Sequence, residues 1–237
     1  MSFLIIAIVL VFLLILIKTI YKINIKELKK IGEDNKELDE IVKKYPSNVE
    51  ICKTILKKLN NENVTIQEEK DNESCLYIAA TNKIIIANMR ESFTRIQTIA
   101  HECLHSIQDK TILMFNFIFS NIYIAYFYII ALLGIFRVIP KPMIFYIIYI
   151  IFGYIYYFVR SYLEMDAMTK ARFLAKEYME EVNISSKEEI NKIVNEYDKL
   201  NNIGIKTVNF KLFAYTIIRS IVLAVIFGIG QIIQINS

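Results

Sequence analysis

The only two histidines of the chain lie within five residues, His101-Glu102-Cys103-Leu104-His105. On an α-helix each residue turns about 100°, so positions i and i+4 share a face. Two imidazoles so placed can grip one zinc ion, and the glutamate after the first can hold an attacking water as general base. A chance H-E-x-x-H arises in roughly one in a few hundred chains of this length. The flanking residues phase as an amphipathic helix with its ligands on the polar face. With Ala100 at the centre of a helical wheel, Phe93, Ile96, Cys103, Leu104 and Ile107 fall within about 60° of it. His101, His105, Thr94, Thr98, Gln108 and Glu102 fall on the other side.

A catalytic zinc takes three protein ligands and leaves a position for water. With no third histidine, the candidate is Glu164 in Arg160-Ser-Tyr-Leu-Glu164-Met-Asp166-Ala167. On a helix Glu164 stands above Ala167, Met168, Ala171 and Ala175, whose mostly small side chains let two helices approach closely. Asp166 points about 160° away and does not share the metal with Glu164. Arg160, Tyr162, Arg172 and Tyr178 are near enough in sequence to offer a donor to a developing oxyanion, and none is assigned.

The composition says where such a site would be built. Of the 237 residues, 55% are hydrophobic, and the mean hydropathy is positive. These values suit a membrane protein. Net charge is only +4 with no solid basic run, which excludes nucleic acid as the expected partner. Cys52, Cys75 and Cys103 have no paired spacing, so neither a disulfide framework nor a second zinc motif is implied. Phe3 to Ile17 is an unbroken apolar run followed by lysines (Lys18, Lys22, Lys26, Lys29, Lys30), the pattern of a retained anchor. Further apolar stretches lie near 112–136, 143–159 and 212–235, each close to the length that crosses about 30 Å of hydrocarbon. Asn116, Ser120 and Asn121 are expected to bond between helices, and Arg219, within the fourth stretch, must snorkel or find a partner. Segments 18–110 and 160–211 hold 25 of the 28 Lys and Arg, which puts them in the cytoplasm by the positive-inside rule.

The second and third stretches form a hairpin around Arg137-Val-Ile-Pro-Lys-Pro142. His105 lies about six residues before the first arm and Glu164 about five after the second. At about 1.5 Å per helical residue both would sit roughly 8 to 9 Å below one membrane face. The arms differ in length by several residues, so a tilt or a break near Asp109-Lys110 has to absorb the difference.

The rest of the polar segments read as short elements. Residues near 24–44 form a charged helix. Ser47 with Glu50 makes a capping box that opens a second helix to about Leu59. Val64 to Gln67, Leu76 to Ala80 and Lys83 to Ala87 are expected strands, with Thr81-Asn82 as a turn. The last of them could present a free edge to an extended peptide, or merely cover the helix. Ser186 with Glu189 makes another capping box, for a helix that Asn201-Asn-Ile-Gly204 should end near Leu200.

The stretches Asn82-Lys-Ile-Ile-Ile-Ala-Asn88, Ile99-Ala-His-Glu-Cys-Leu-His-Ser-Ile-Gln108 and Glu164-x-Asp166-Ala167 resemble the bacterial neutral zinc metallopeptidases. These are small gluzincin-like membrane proteins with H-E-x-G-H-A-x-Q and a later E-x-D-A. The order of span, zinc helix, two spans, glutamate helix and terminal span is also similar. The resemblance implies zinc as cofactor, His101, His105 and Glu164 as ligands, and Glu102 as catalytic base. Leu104 stands where the family has glycine, and Ser106 where it has alanine; a leucine beside the metal would narrow the pocket.

The expected fold is mainly α, with four transmembrane helices and a small α+β zincin-like cytoplasmic catalytic region. The expected segments are an anchor (1–21), a zinc-helix region (22–110), a hairpin (111–160), a third-ligand region (161–211) and a terminal span (212–237). The expected function is a multi-pass cell-membrane zinc endopeptidase acting on peptide or protein substrates at the cytoplasmic face of the bilayer. Two alternatives carry different expectations. One is an inactive or regulatory relative serving as a binding or scaffold module. The other is an intramembrane protease, against which the polar neighbours Thr94, Arg95, Gln97, Thr98 and Gln108 argue.

Overall fold

The structure, a computed structural model, describes residues 2–23, 35–69, 74–89 and 92–236. It is mainly helical. The elements are α1 (Ser2–Ile20), α2 (Lys36–Lys43), α3 (Asn48–Lys58), β1 (Thr65–Glu69), β2 (Leu76–Ile78), a 3-10 turn (Ala79–Thr81), β3 (Lys83–Ala87), α4 (Arg95–Ile107), α5 (Lys110–Ile135), α6 (Pro142–Val182) and α7 (Lys187–Asn236). Residues 24–34 of the expected first charged helix lie outside the described residues. Four helices are long and apolar enough to cross a membrane: Ser2–Ile20, Lys110–Ile135, Pro142–Val182 and Lys187–Ile233.

The chain divides into two compact units. The first comprises Met1–Ile23, Phe115–Ser161 and Lys206–Ser237, an apolar helical bundle. Its interior is aromatic: Phe3 lies 5.5 Å from the ring of Tyr146 and 5.3 Å from that of Phe227, and Tyr123 donates to Tyr149 at 2.6 Å. The guanidinium of Arg219 stands 5.9 Å from the ring centroids of both Tyr123 and Phe127, a cation–π arrangement that supplies the partner this cation needs. The expected interhelical bonds of Ser120 and Asn121 are not formed. Their side chains donate instead to the carbonyls of Asn116 and Phe117 on their own helix, and the Asn116 amide oxygen has no partner. Bonding four residues back satisfies a polar side chain without any neighbour, which is why sequence position alone could not assign the partner.

The second unit comprises Asn24–Met114 and Tyr162–Ile205. Its sheet has the order β1-β3-β2, with β1 parallel and β2 antiparallel to β3. The third strand is therefore central, both its edges are paired, and it offers no free edge to a peptide. β2 ends at Ile78 because Ala79–Thr81 winds into a 3-10 turn, closed by Asn82 in the left-handed region at φ 48°. Side chains from α2, α3, the sheet, α4, α6 and α7 share one core, including Val42, Ile51, Ile55, Ile84, Ile86, Ile96, Ala171 and Ile193.

Both capping boxes form. Ser47 accepts from Glu50 N–H while Glu50 accepts from Ser47 N–H, and Ser186 and Glu189 reciprocate in the same way. The expected stop at Asn201–Gly204 does not occur, because α7 runs through it unbroken. Asn201 spends its side chain on tertiary partners, accepting from Gln97 at 2.8 Å and donating to the Met168 carbonyl at 3.2 Å. Gly204 serves close approach instead of a helix end: a Cβ there would lie 3.2 Å from the Met168 methyl.

Candidate metal centre

Helix α4, which carries both histidines, is packed nearly all round. Phe93, Ile96, Ala100 and Cys103 are fully buried, as expected of the apolar face, and so is Ile99 outside it, whereas Ile107 is 46% exposed. The face expected to be polar is also partly enclosed. Arg95 is wholly buried and donates to the carbonyls of Val42, Tyr45 and Pro46 and to the Asn48 side chain, tying the start of α4 to the α2–α3 turn. Tyr197 of α7 donates to the Phe93 carbonyl at 2.8 Å, fixing the residue just before α4. The three thiols are buried, with the Cys52 and Cys103 sulfurs 3.7 Å apart, and burial pushes the Cys75 thiol up to about 11. All three pack in the core, and Cys75 and Cys103, raised by burial, are poorly ionised at neutral pH.

One turn apart on this helix, His101 and His105 bring their Nε2 atoms to 3.0 Å. Glu164 arrives from α6, with Oε2 at 3.5 Å from His101 Nε2 and 3.8 Å from His105 Nε2. Each of the three offers one ligand atom, all within 4.8 Å of one another. In a tetrahedral zinc site with bonds of 2.0–2.1 Å, neighbouring ligand atoms stand about 3.3 Å apart. The observed separations bracket that value, and two imidazoles with a carboxylate are a ligand set that zinc accepts. The group can hold a metal ion.

The packing behind Glu164 explains its reach. Ala167, Ala171 and Ala175 are buried on the α6 face below it and belong to the same core as Ala100 and Cys103 of α4. The break that lets both helices converge falls where the length mismatch requires it. α4 ends at Ile107, Gln108 turns to extended backbone (ψ 161°), and Asp109 accepts from the N–H groups of Thr111 and Ile112 to start α5.

Glu102 is 7% exposed and accepts from the Tyr77 N–H of β2 at 2.6 Å. Burial raises its pKa, against the opposing pull of both imidazoles and the Tyr77 N–H. For His105 burial disfavours the charge, but the Glu164 carboxylate outweighs it with help from Gln108, and the net shift is upward.

Sequence reasoning missed the partners of His105. Its Nδ1 lies 2.8 Å from Gln108 Oε1, and Gln108 Nε2 donates to the Leu163 carbonyl at 2.8 Å and to Asp166 at 3.1 Å. The signals were present: Gln108 follows His105 by one turn, and Asp166 follows Glu164 by two residues. Asp166 does not join the His101–His105–Glu164 group, in keeping with its helical phase, and meets Gln108 instead. The two departures from the peptidase motif are also explained. Leu104 is turned into the core at 6% exposure, and it lines a cavity of about 220 Å³ with Gln108, Tyr162 and Asp166. The Ser106 hydroxyl donates to the Cys103 carbonyl and accepts from Asn61. Of the oxyanion candidates, Arg172 is paired with Asp198 and Tyr178 is buried against Tyr45, while Tyr162 is 60% exposed.

Compared with protein-family models, curated proteins and solved structures, the chain matches none.

Proposed function

We propose that this chain is a membrane-bound zinc peptidase that hydrolyses peptide or protein substrates at the cytoplasmic face of a bilayer. One observation carries the reading: His101 and His105, on a helix that also carries Glu102, meet Glu164 of α6 with their ligand atoms within 4.8 Å. Their resemblance to the neutral zinc metallopeptidases, through H-E-x-x-H-x-x-Q and E-x-D-A, supports it. When bound, zinc acidifies a water and polarises the scissile carbonyl. The two imidazoles and Glu164 hold the ion and leave a position for substrate. Glu102 takes the proton of the attacking water and delivers it to the leaving amine, and its raised pKa suits that double duty. The Tyr77 N–H holds the carboxylate by one oxygen, and the other is left for the water. Four apolar helices and the basic residues flanking them support the membrane and its orientation. α4 is not among those helices, which speaks against cleavage inside the bilayer.

The short Tyr77 bond also favours a second reading, in which Glu102 is immobilised and the chain holds metal as a scaffold without hydrolysis. Cleavage of peptide libraries and unfolded proteins by wild type and Glu102→Gln separates the two. The peptidase reading expects Glu102→Gln to keep zinc and lose at least about a hundredfold in rate. Bound zinc with no cleavage by either protein would establish the scaffold instead.

A further inference from the structure

We infer that Gln108 is a positioning residue that selects which nitrogen of His105 is free for the metal, and that Asp166 locks Gln108 in that role. The inference rests on the metal reading of His101, His105 and Glu164. A neutral imidazole carries one proton, and the hydrogen bond made by one ring nitrogen decides whether the other keeps its lone pair. His105 Nε2 faces His101 and Glu164, and Nδ1 faces Gln108 Oε1 at 2.8 Å. That amide oxygen can only accept, so the His105 proton belongs on Nδ1 and Nε2 is left to bind.

The orientation of the amide is forced by its other end. Gln108 Nε2 meets the Leu163 carbonyl at 2.8 Å and the Asp166 carboxylate at 3.1 Å, both of them acceptors. Turned over, the amide would set its oxygen against two other acceptors, replacing two hydrogen bonds by two repulsive contacts. Lys170 holds the other oxygen of Asp166 at 2.5 Å, so the carboxylate itself is anchored. The chain Lys170–Asp166–Gln108–His105 therefore runs in one direction only. It also links the two ligand-bearing helices: Gln108 leaves the end of α4 and grips α6 at the carbonyl one residue before Glu164.

The test uses the full chain in lipid nanodiscs, as wild type, Gln108→Leu, Gln108→Glu and the double variant Gln108→Glu/Asp166→Asn. Zinc affinity is read by chelator competition. The His105 tautomer is read from ¹⁵N-histidine spectra, which hold just two rings. In metal-free wild type, at a pH where the His105 ring is neutral, that ring carries its proton on Nδ1. Gln108→Leu loses that preference and binds zinc about 10- to 100-fold more weakly. Gln108→Glu sets a carboxylate against Asp166 and is also weakened, and Asp166→Asn restores a donor and recovers most of the affinity. Unchanged affinity and tautomer in Gln108→Leu would overturn the inference. So would an affinity loss that follows the melting temperature while the tautomer stays fixed, since that is a merely structural role. A wild type that binds no zinc contradicts the metal reading instead, and the metal-free tautomer still decides what Gln108 does.

Discussion

The two units of this chain present opposite chemistry at their surfaces. In the unit that holds the His101–His105–Glu164 group, Ile51, Ile55, Ile84 and Ile86 have no exposure, and charged side chains pair at the surface: Lys44 with Glu189, Lys58 with Glu181 and Lys192 with Glu37. In the helical bundle, Ile122, Ile129 and Leu132 are at least half exposed, while Tyr123, Tyr149 and Ser220 are fully enclosed. Its three segments contain no aspartate or glutamate at all. One unit keeps its apolar side chains from the surrounding solvent, and the other presents them to it. An apolar exterior is the arrangement a hydrocarbon solvent selects, because polar groups there must find partners within the protein. The contrast teaches that exposure has no fixed meaning along this chain.

Two residues of nearly equal exposure can break or sharpen that contrast. Ile122 of α5 is 50% exposed and Leu76 of β2 is 48% exposed. Ile122→Lys is expected to cost about 3 kcal/mol in a membrane-insertion assay, as for a lysine at the centre of a span. Leu76→Lys should change stability by no more than about 0.5 kcal/mol, as at a watery surface. Equal effects would erase the distinction. Glycines make a smaller version of the same comparison. A Cβ on Gly153 would lie 2.5 Å from Thr216 Cγ2, a stiff β-branched neighbour, so Gly153→Ala should destabilise the bundle by about 1–3 kcal/mol. Gly204→Ala meets only the flexible Met168 methyl at 3.2 Å, and gained helix propensity should leave it neutral or a few tenths of a kcal/mol more stable. Thermal unfolding in nanodiscs reads both.

The smallest effect expected is a pH trend confined to the unit that carries His101, His105 and Glu164. Without metal, Glu102 is raised by burial, and His105 is raised because Glu164 outweighs burial, so both bind protons more tightly when folded. The His105 contribution is present below its ordinary 6.5 and is lost as pH rises through its folded value, and Glu102 acts in the same direction from 4.5 upward. Chelated protein should therefore lose stability as pH rises. Zinc requires both imidazoles unprotonated, so zinc should stabilise the chain more at higher pH, reversing the trend. Denaturant titrations with and without chelator across pH check the sign.

Local signals were the legible part of the sequence. The capping boxes at Ser47 and Ser186 and the break beside Asp109 depend on residues within a few positions, and the chain writes those down directly. The ligands His101 and His105 share one turn of helix, and Glu164 could be reached by counting residues along the hairpin. Tertiary competition hid the rest. Asn201-Asn-Ile-Gly204 carries the composition of a helix stop, but the Asn201 amide is claimed by Gln97 and Met168, so the helix continues. Arg95 resembles a solvated charge until four acceptors from the α2–α3 turn enclose it. Whether β3 was a free edge stayed open in the sequence because strand order is set by long-range pairing, which no local pattern records. The Gln108–Asp166 bond crosses two helices and was hidden in the same way.

The central claim is that one chain holds one divalent ion through His101, His105 and Glu164. Elemental analysis of purified wild type, His101→Ala, Glu164→Ala and Glu102→Gln after zinc loading and desalting tests it most directly. The account predicts about one zinc per chain in wild type and Glu102→Gln, with the metal lost from His101→Ala and strongly depleted in Glu164→Ala. Full zinc occupancy in His101→Ala and Glu164→Ala, or none in wild type, would contradict it.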